Sequence, residues 1–317
     1  MARILSRHPD VHILNETHFI EEFAAERNSL RFEGEQLKSM INKMFTIQRK
    51  DYYRKAETEQ YPETESVINE LSQLAEISLR DIIRSFFVFE ANRLGKSIPG
   101  DQTPRHVFYI NEIKKMFPEA LFINMSRDPR GVLLSQKYKW KAGIRLKVPL
   151  YETIRTYLNY HPILMAIMWR KGIKSALSAC ERIGPEEIIN VKFEHLVNDP
   201  ENSIKMVCDF LGVKYHHSMI DVPVSMSSTS TDEGKRGISK NVAEKWTKSL
   251  SATDVYFAEK INGELMEVLG YAFTHMKPNP LKLLFFWVVL PFQAAVIFAL
   301  NLNRMGNPVT FIKKRFG

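Results

Sequence analysis

The sequence predicts an α/β fold in which a parallel sheet is flanked by helices, followed by a hydrophobic C-terminal helical tail. Three observations carry this reading. Short runs of strand character at 11–14, 95–103, 120–125 and 188–193 alternate with segments of helical periodicity, and strands separated by helices run parallel with right-handed crossovers. A chain of 317 residues with 44% hydrophobic content has enough apolar side chains for a full core. From Leu283 to Asn303 there is no charged residue, which sets the tail apart.

In chain order, residues 2–7 read as helix, and Val11, Ile13 and Leu14 as a short strand that runs into Asn15, Glu16 and Thr17. From Phe19 to Leu94 the pattern is helical, with Leu37, Met40, Ile41 and Met44 at three- and four-residue spacing. The polar, tyrosine-rich span from Arg49 to Glu65 interrupts it as a surface loop or lid. Gly95 to Thr103 is a strand and turn, and Arg105 to Phe117 an amphipathic helix burying Phe108, Ile110, Ile113 and Met116. Ala120 to Met125 reads as a buried core strand. Leu150 to Ile183 is long helix, broken or kinked at Pro162. Ile188 to Phe193 is a second buried strand. Asp199-Pro200 then starts a helix that buries Ile204, Val207, Cys208 and Leu211 and stops at Gly212.

The net charge of +8 suits an anionic ligand or an anionic membrane surface. No nucleic-acid-binding motif accompanies the charge, so a nucleic-acid partner is not expected. Cys180 and Cys208 show no metal-ligand spacing and read as core filling; no metal is expected. No secretory signal is visible at the start, and no G-x-x-x-x-G-K-[ST] motif is present, which disfavours a P-loop kinase.

The most informative stretch is FINMSRDPRGVLLS at 122–135. It places Arg127 at the C-terminal end of a strand, turns through Asp128-Pro129, and sets Ser135 about two turns into the following helix. Both side chains can reach one phosphate: the guanidinium is a planar fork of donors, and open α/β sheets bind ligands outside the carboxyl ends of their strands.

This turn resembles the 3'-phosphate-binding segment of sulfotransferases that use 3'-phosphoadenosine 5'-phosphosulfate (PAPS). Further pieces recur in that family's order: HPDVHILNETHF at 8–19, GDQTPRHVFYI at 100–110, VKFEHLVNDPENSIKMVCDFLGV at 191–213, KRGISKNVAEKW at 235–246 and ELMEVLGY at 264–271. The resemblance covers residues 1–275 and implies a P-loop nucleotide-binding-like architecture, with residues 276–317 as an appended membrane-associated tail. It also implies PAPS as sulfuryl donor and a hydroxyl or amine of a glycan, lipid or protein as acceptor. Arg127 and Ser135 would hold the 3'-phosphate, and Lys235, Arg236 and Gly237 would lie in the loop that closes over it. Glu16 would be the general base, with His18 as its rival. Glu194 reads as a structural carboxylate, and Trp246 as an anchor for the closing loop. Gln102 stands where many relatives carry Lys.

The family's strand and R-S-G-T-T turn, which wrap the 5'-phosphosulfate, do not precede the HPD segment here. The chain is therefore expected to be shortened at its N-terminus. A catalytically inactive, membrane-associated relative is the alternative.

The tail is long enough to cross a bilayer, but Pro291, Gln293 and Asn301 argue against a clean crossing. Arg304, Lys313, Lys314 and Arg315 resemble a basic cluster that meets anionic headgroups. An in-plane or re-entrant anchor is the first reading; a single crossing and a helix packed on protein are the others. The expected location is the membrane, on the cytoplasmic face.

Overall fold

The structure is a computed structural model that describes residues 1–23, 26, 31–55, 57–223, 236–238, 242–302 and 309. Two compact units emerge from it. Residues 1–120 and 214–222 form the first, and residues 121–213 and 223–317 the second.

In the first unit, strands β1 (Val11–Leu14) and β2 (Ile98–Asp101) pair in parallel, Val11 opposite Ile98 and Leu14 opposite Asp101. The crossover between them contains helices α1 (Gly34–Lys50), α2 (Glu63–Leu71) and α3 (Leu79–Asn92). The expected periodicity holds in α1, which buries Leu37, Met40, Ile41, Met44 and Phe45, and it ends with Arg49 and Lys50 near its negative pole. Ser78 and Asp81 close a reciprocal capping box at the start of α3. Phe45 and Phe86 meet edge to face at 4.9 Å in the core.

Two expectations need correction here. The span from Arg49 to Glu65 is not one free loop: Tyr52–Arg54 form a 3-10 turn, α2 starts at Glu63, and Lys50–Glu59 and Lys55–Glu22 ion pairs tie the segment down. Arg105 to Phe117 splits into a 3-10 turn at Pro104–Phe108 and a helix at Ile110–Met116. Of its expected apolar side only Ile110 and Ile113 are buried, because Pro104 starts a tighter turn whose phase does not continue into the helix.

In the second unit, β3 (Phe122–Ser126) and β4 (Ile188–Lys192) form the other parallel ladder, Phe122 opposite Ile188 and Ser126 opposite Lys192. Around them stand α4 (Pro129–Lys137), α5 (Leu150–Leu158), α6 (Pro162–Ile183), α7 (Pro200–Leu211), α8 (Ala252–Val268) and α9 (Pro280–Asn301). The parallel pairing expected from the sequence is thus realised as two ladders, one per unit.

The expected long helix over 150–183 is two helices, because Pro162 takes the first-turn position of α6, where its missing N–H costs nothing. Helix α7 starts at Asp199, whose carboxylate accepts from the Asn202 amide, and ends at Gly212 with φ 66, as read from the sequence; Leu211 is only half-buried. β3 is not buried either: Phe122 to Met125 are half-exposed, and among the described residues β4 is its ladder partner.

Candidate functional site

The second unit builds its site on the turn after β3. Asp128 caps α4, its Oδ1 accepting from the Arg130 amide at 2.8 Å. Glu194, just past β4, accepts from the Asp128 amide at 3.0 Å and from the Tyr271 hydroxyl at 3.0 Å. It is therefore a structural carboxylate, as expected, but it holds a backbone amide and a phenol rather than a base. The Tyr271 hydroxyl is raised in pKa by its burial and by the neighbouring Glu194 charge, so it stays a donor.

Two arginines leave this turn. Arg130 is buried: its Nη2 donates to Asp128 Oδ2 at 2.6 Å, its Nη1 to Glu259 Oε1 at 2.7 Å, and its guanidinium lies 4.0 Å from the Trp246 ring centroid. Glu259 also accepts from the Thr274 amide and hydroxyl. Trp246, the expected loop anchor, sits in the core with Leu133, Leu134, Leu250 and Val255.

Arg127 is held differently. Its Nη2 donates to the Val242 carbonyl at 3.2 Å, its guanidinium lies 4.3 Å from the Phe193 ring centroid, and its Nε is buried with no hydrogen-bond partner. Trp169 donates to its carbonyl at 2.8 Å, fixing the backbone. Burial lowers the Arg127 pKa, and the nearby charges of Glu194 and Asp128 oppose that only in part. Among the described residues the result is a partly buried cation without an ion pair, a state that an incoming anion relieves.

The Val242 contact puts residue 242 of the expected closing segment against Arg127. Arg236 bridges to Pro223 in that segment, and Gly237 adopts φ 101, a conformation that favours glycine. Lys235 lies outside the described residues. Ser135 is half-buried in α4, on the same helix that Arg127 precedes.

In the first unit, the segment after β1 crosses to the end of β2. The Thr17 hydroxyl donates to Asp101 Oδ1 at 2.7 Å, and the His18 amide to Thr103 Oγ1 at 3.3 Å. His106 Nδ1 lies 2.9 Å from Asp101 Oδ2. These ties hold His18 at φ 52, a left-handed conformation uncommon outside glycine and one of those that gather at functional sites.

The His18 ring lies 3.2 Å from Glu16 Oε2 through Nε2, 3.6 Å from Glu21 Oε2 through Nδ1, and 4.1 Å from the Tyr52 ring by centroids. Glu16 is half-exposed, at 50%, whereas His18 and Glu21 are buried. Burial by itself lowers the His18 pKa, but hydrogen bonding to Glu16 and Glu21 outweighs it and the net direction is upward. For Glu21, burial is overcome by His18 and then Arg105, and the carboxyl is held below its usual range. The two rival bases thus form one dyad. Glu21, Tyr52 and Arg105 escaped the sequence reading, although Glu21 stands three residues from His18 at helical spacing, a signal that could have found it.

A separate cleft of about 540 Å³ lies over the β3–β4 face, lined in part by Asn124, Asn190, Lys192, His195 and Asn202. Its lining contains no arginine, and its one lysine already donates to the Leu269 carbonyl. For an anion, the turn after β3 is the better site.

The fold is that of known sulfotransferases. The sulfotransferase domain of the Synechococcus PCC 7002 olefin synthase aligns with 86% of this chain and 90% of its own, at TM-score 0.51 and 19% identity. The corresponding domain of the curacin biosynthetic pathway aligns over 86% and 93%, at TM-score 0.50 and 16% identity.

A model described as the sulfotransferase family matches residues 1–217, and the chain belongs to that family. Among curated relatives, a putative protein-tyrosine sulfotransferase of Caenorhabditis briggsae is 25% identical over 187 residues, 56% of this chain and 62% of the relative, so this chain spans less than two thirds of its length. Protein-tyrosine sulfotransferase 2 of Gallus gallus is 28% identical over 42% of this chain and 36% of its own.

Proposed function

We propose that this protein moves a sulfuryl group from PAPS to a hydroxyl or amine of a glycan, lipid or protein. In that reaction the acceptor atom attacks sulfur, the bond from sulfur to the 5'-phosphate oxygen breaks, and the acceptor proton passes to a base. The products are the sulfated acceptor and 3'-phosphoadenosine 5'-phosphate. Such a transfer needs little covalent help from protein; positioning and charge neutralisation carry it.

Arg127 and Ser135 take the 3'-phosphate, while Lys235, Arg236 and Gly237 close over it. The observation that carries the reading is the partly buried Arg127 guanidinium, whose Nε is buried with no hydrogen-bond partner and which has no ion pair among the described residues. Glu16 and His18 act together as the proton acceptor, the half-exposed carboxylate meeting the substrate and the imidazole sharing the charge. The names of the protein-tyrosine relatives support a protein acceptor among the three classes. Residues 1–275 form the catalytic domain and 276–317 a membrane-associated segment, working at the cytoplasmic face of the bilayer.

The test is calorimetry with 3'-phosphoadenosine 5'-phosphate on the full chain and on Arg127→Ala. Loss of affinity by about tenfold to a hundredfold is expected, the size of charge-assisted hydrogen bonds to one phosphate. Equal affinity in the folded variant would refute the assignment of Arg127.

A further inference from the structure

Helix α9 is apolar on every side, yet its two amide side chains both turn toward protein. Gln293 donates to the carbonyls of Leu158 and Tyr160 at 2.9 and 2.7 Å. Asn301 accepts from Arg155 at 2.7 Å and donates to Asn159 at 2.9 Å. At the other end, the Asn279 amide donates to Thr253 at 3.3 Å. These ties run along a helix of roughly 33 Å, and a bilayer crossing would break them and put both amides into hydrocarbon. The helix therefore lies along the second unit, with Phe286 against Phe257 at 5.9 Å.

The face of α9 away from the protein is left bare. Leu281, Leu284, Phe285, Val288, Phe292 and Val296 recur at three- and four-residue spacing and are all exposed, Leu281 at 78% and Phe292 at 71%. Helix α5, which Gln293 and Asn301 grip, is bare in the same way. Leu150, at 74%, and Tyr151, Ile154 and Tyr157 are exposed along one of its sides, and Ile144 and Leu146 just before it are exposed as well. Lys139 and Lys141 are exposed just before these apolar residues, and Lys147 among them. The one acidic residue from 139 to 158, Glu152, is buried against Arg155.

Exposed apolar side chains on two helices that grip each other point to an interaction site. We propose that residues 139–158 and helix α9 form one composite face that lies in the plane of an anionic bilayer surface, the apolar side chains entering the acyl boundary and Lys139, Lys141 and Lys147 meeting the headgroups. The occupant is a bilayer rather than a second protein because the face pairs exposed aliphatic and aromatic residues with cations alone and offers no exposed carboxylate to match a protein partner's bases. The inference deepens the reading of α9 as a membrane-associated segment and rests on it; it adds a second element on the body of the protein and excludes a crossing.

The experiment is flotation of the full chain with phosphatidylcholine vesicles, with and without phosphatidylserine. It compares Leu150→Glu/Ile154→Glu and Leu284→Glu/Val288→Glu with the unmodified chain, near-UV circular dichroism confirming that each is folded. Each pair is expected to lower partition into phosphatidylserine vesicles by at least about tenfold, since charge replaces buried apolar surface. Lys139→Gln/Lys141→Gln/Lys147→Gln is expected to remove most of the phosphatidylserine dependence. Loss with the α9 pair but not the α5 pair would overturn the composite face while leaving the anchor. Unchanged partition in both pairs, or no vesicle binding by the unmodified chain, would overturn the anchor itself. If vesicles do not bind but the chain dimerises and both pairs dissociate it, the face belongs to a second copy.

Discussion

The two candidate sites, one in each unit, handle charge in opposite ways. Around His18, each ionised group faces an opposite one: His18 meets Glu16 and Glu21, Arg105 approaches Glu21 at 3.8 Å, and Lys43 and Lys55 flank Glu22. At the turn after β3, Arg130 is matched twice over, while among the described residues Arg127 has a carbonyl, an aromatic face and distant carboxylates. A self-compensated cluster changes state by one proton, which suits acid–base work. An uncompensated, partly buried cation changes state by binding an anion.

The largest effect that could break this contrast is on stability at the arginine turn. Arg130→Met should cost about 3–5 kcal/mol in chemical denaturation, since it strands Asp128 and Glu259. Arg127→Met should leave the midpoint unchanged or raise it, because it deletes a charge that burial penalises. Equal losses in both would mean that Arg127 is as well matched as Arg130.

Next comes the proton. The folded-state pKa of His18 lies above the ordinary value of 6.5, so its stabilising contribution is complete below pH 6.5 and disappears as pH rises through the folded value. If the dyad accepts the acceptor proton, activity should climb over that same window. NMR titration of the His18 ring should show the upward midpoint, and Glu21→Gln should lower it, since a hydrogen-bonded carboxylate that favours the charged ring is removed. A midpoint that ignores Glu21 would dissolve the dyad. The smallest effect is expected on the surface: Arg84→Ala removes an exposed pair with Glu119, and its melting curve should shift by no more than about 0.5 kcal/mol.

Much of the turn after β3 was legible because it is local. Strand, Arg127, the Asp128 cap and Pro129 are adjacent in sequence, and the Asp199 cap and Gly212 stop likewise need only near neighbours. Arg130 was not legible as a core residue, since its partners Glu259 and Trp246 are far along the chain and an arginine after Arg-Asp-Pro carries no mark of burial. Gln293 and Asn301 stood out in the sequence as polar residues in an apolar run, but what they grip is set by packing. The half-exposure of β3 was hidden for the same reason: an apolar strand has the same sequence whether one edge or both are covered.

The ion network at Arg130 also sets a schedule for synthesis. Glu259 follows Arg130 by 129 residues, so at about 5–20 residues per second a ribosome takes roughly 6–26 s to supply it. Until then the nascent turn holds a guanidinium with Asp128 as its one carboxylate, and the Trp246 face that shields it is made only 13 residues before Glu259. The turn after β3 therefore matures late, after α8 has been released to close on α4. A chain halted before α8 would keep the motif in its sequence and lack the packed turn that gives the motif its shape.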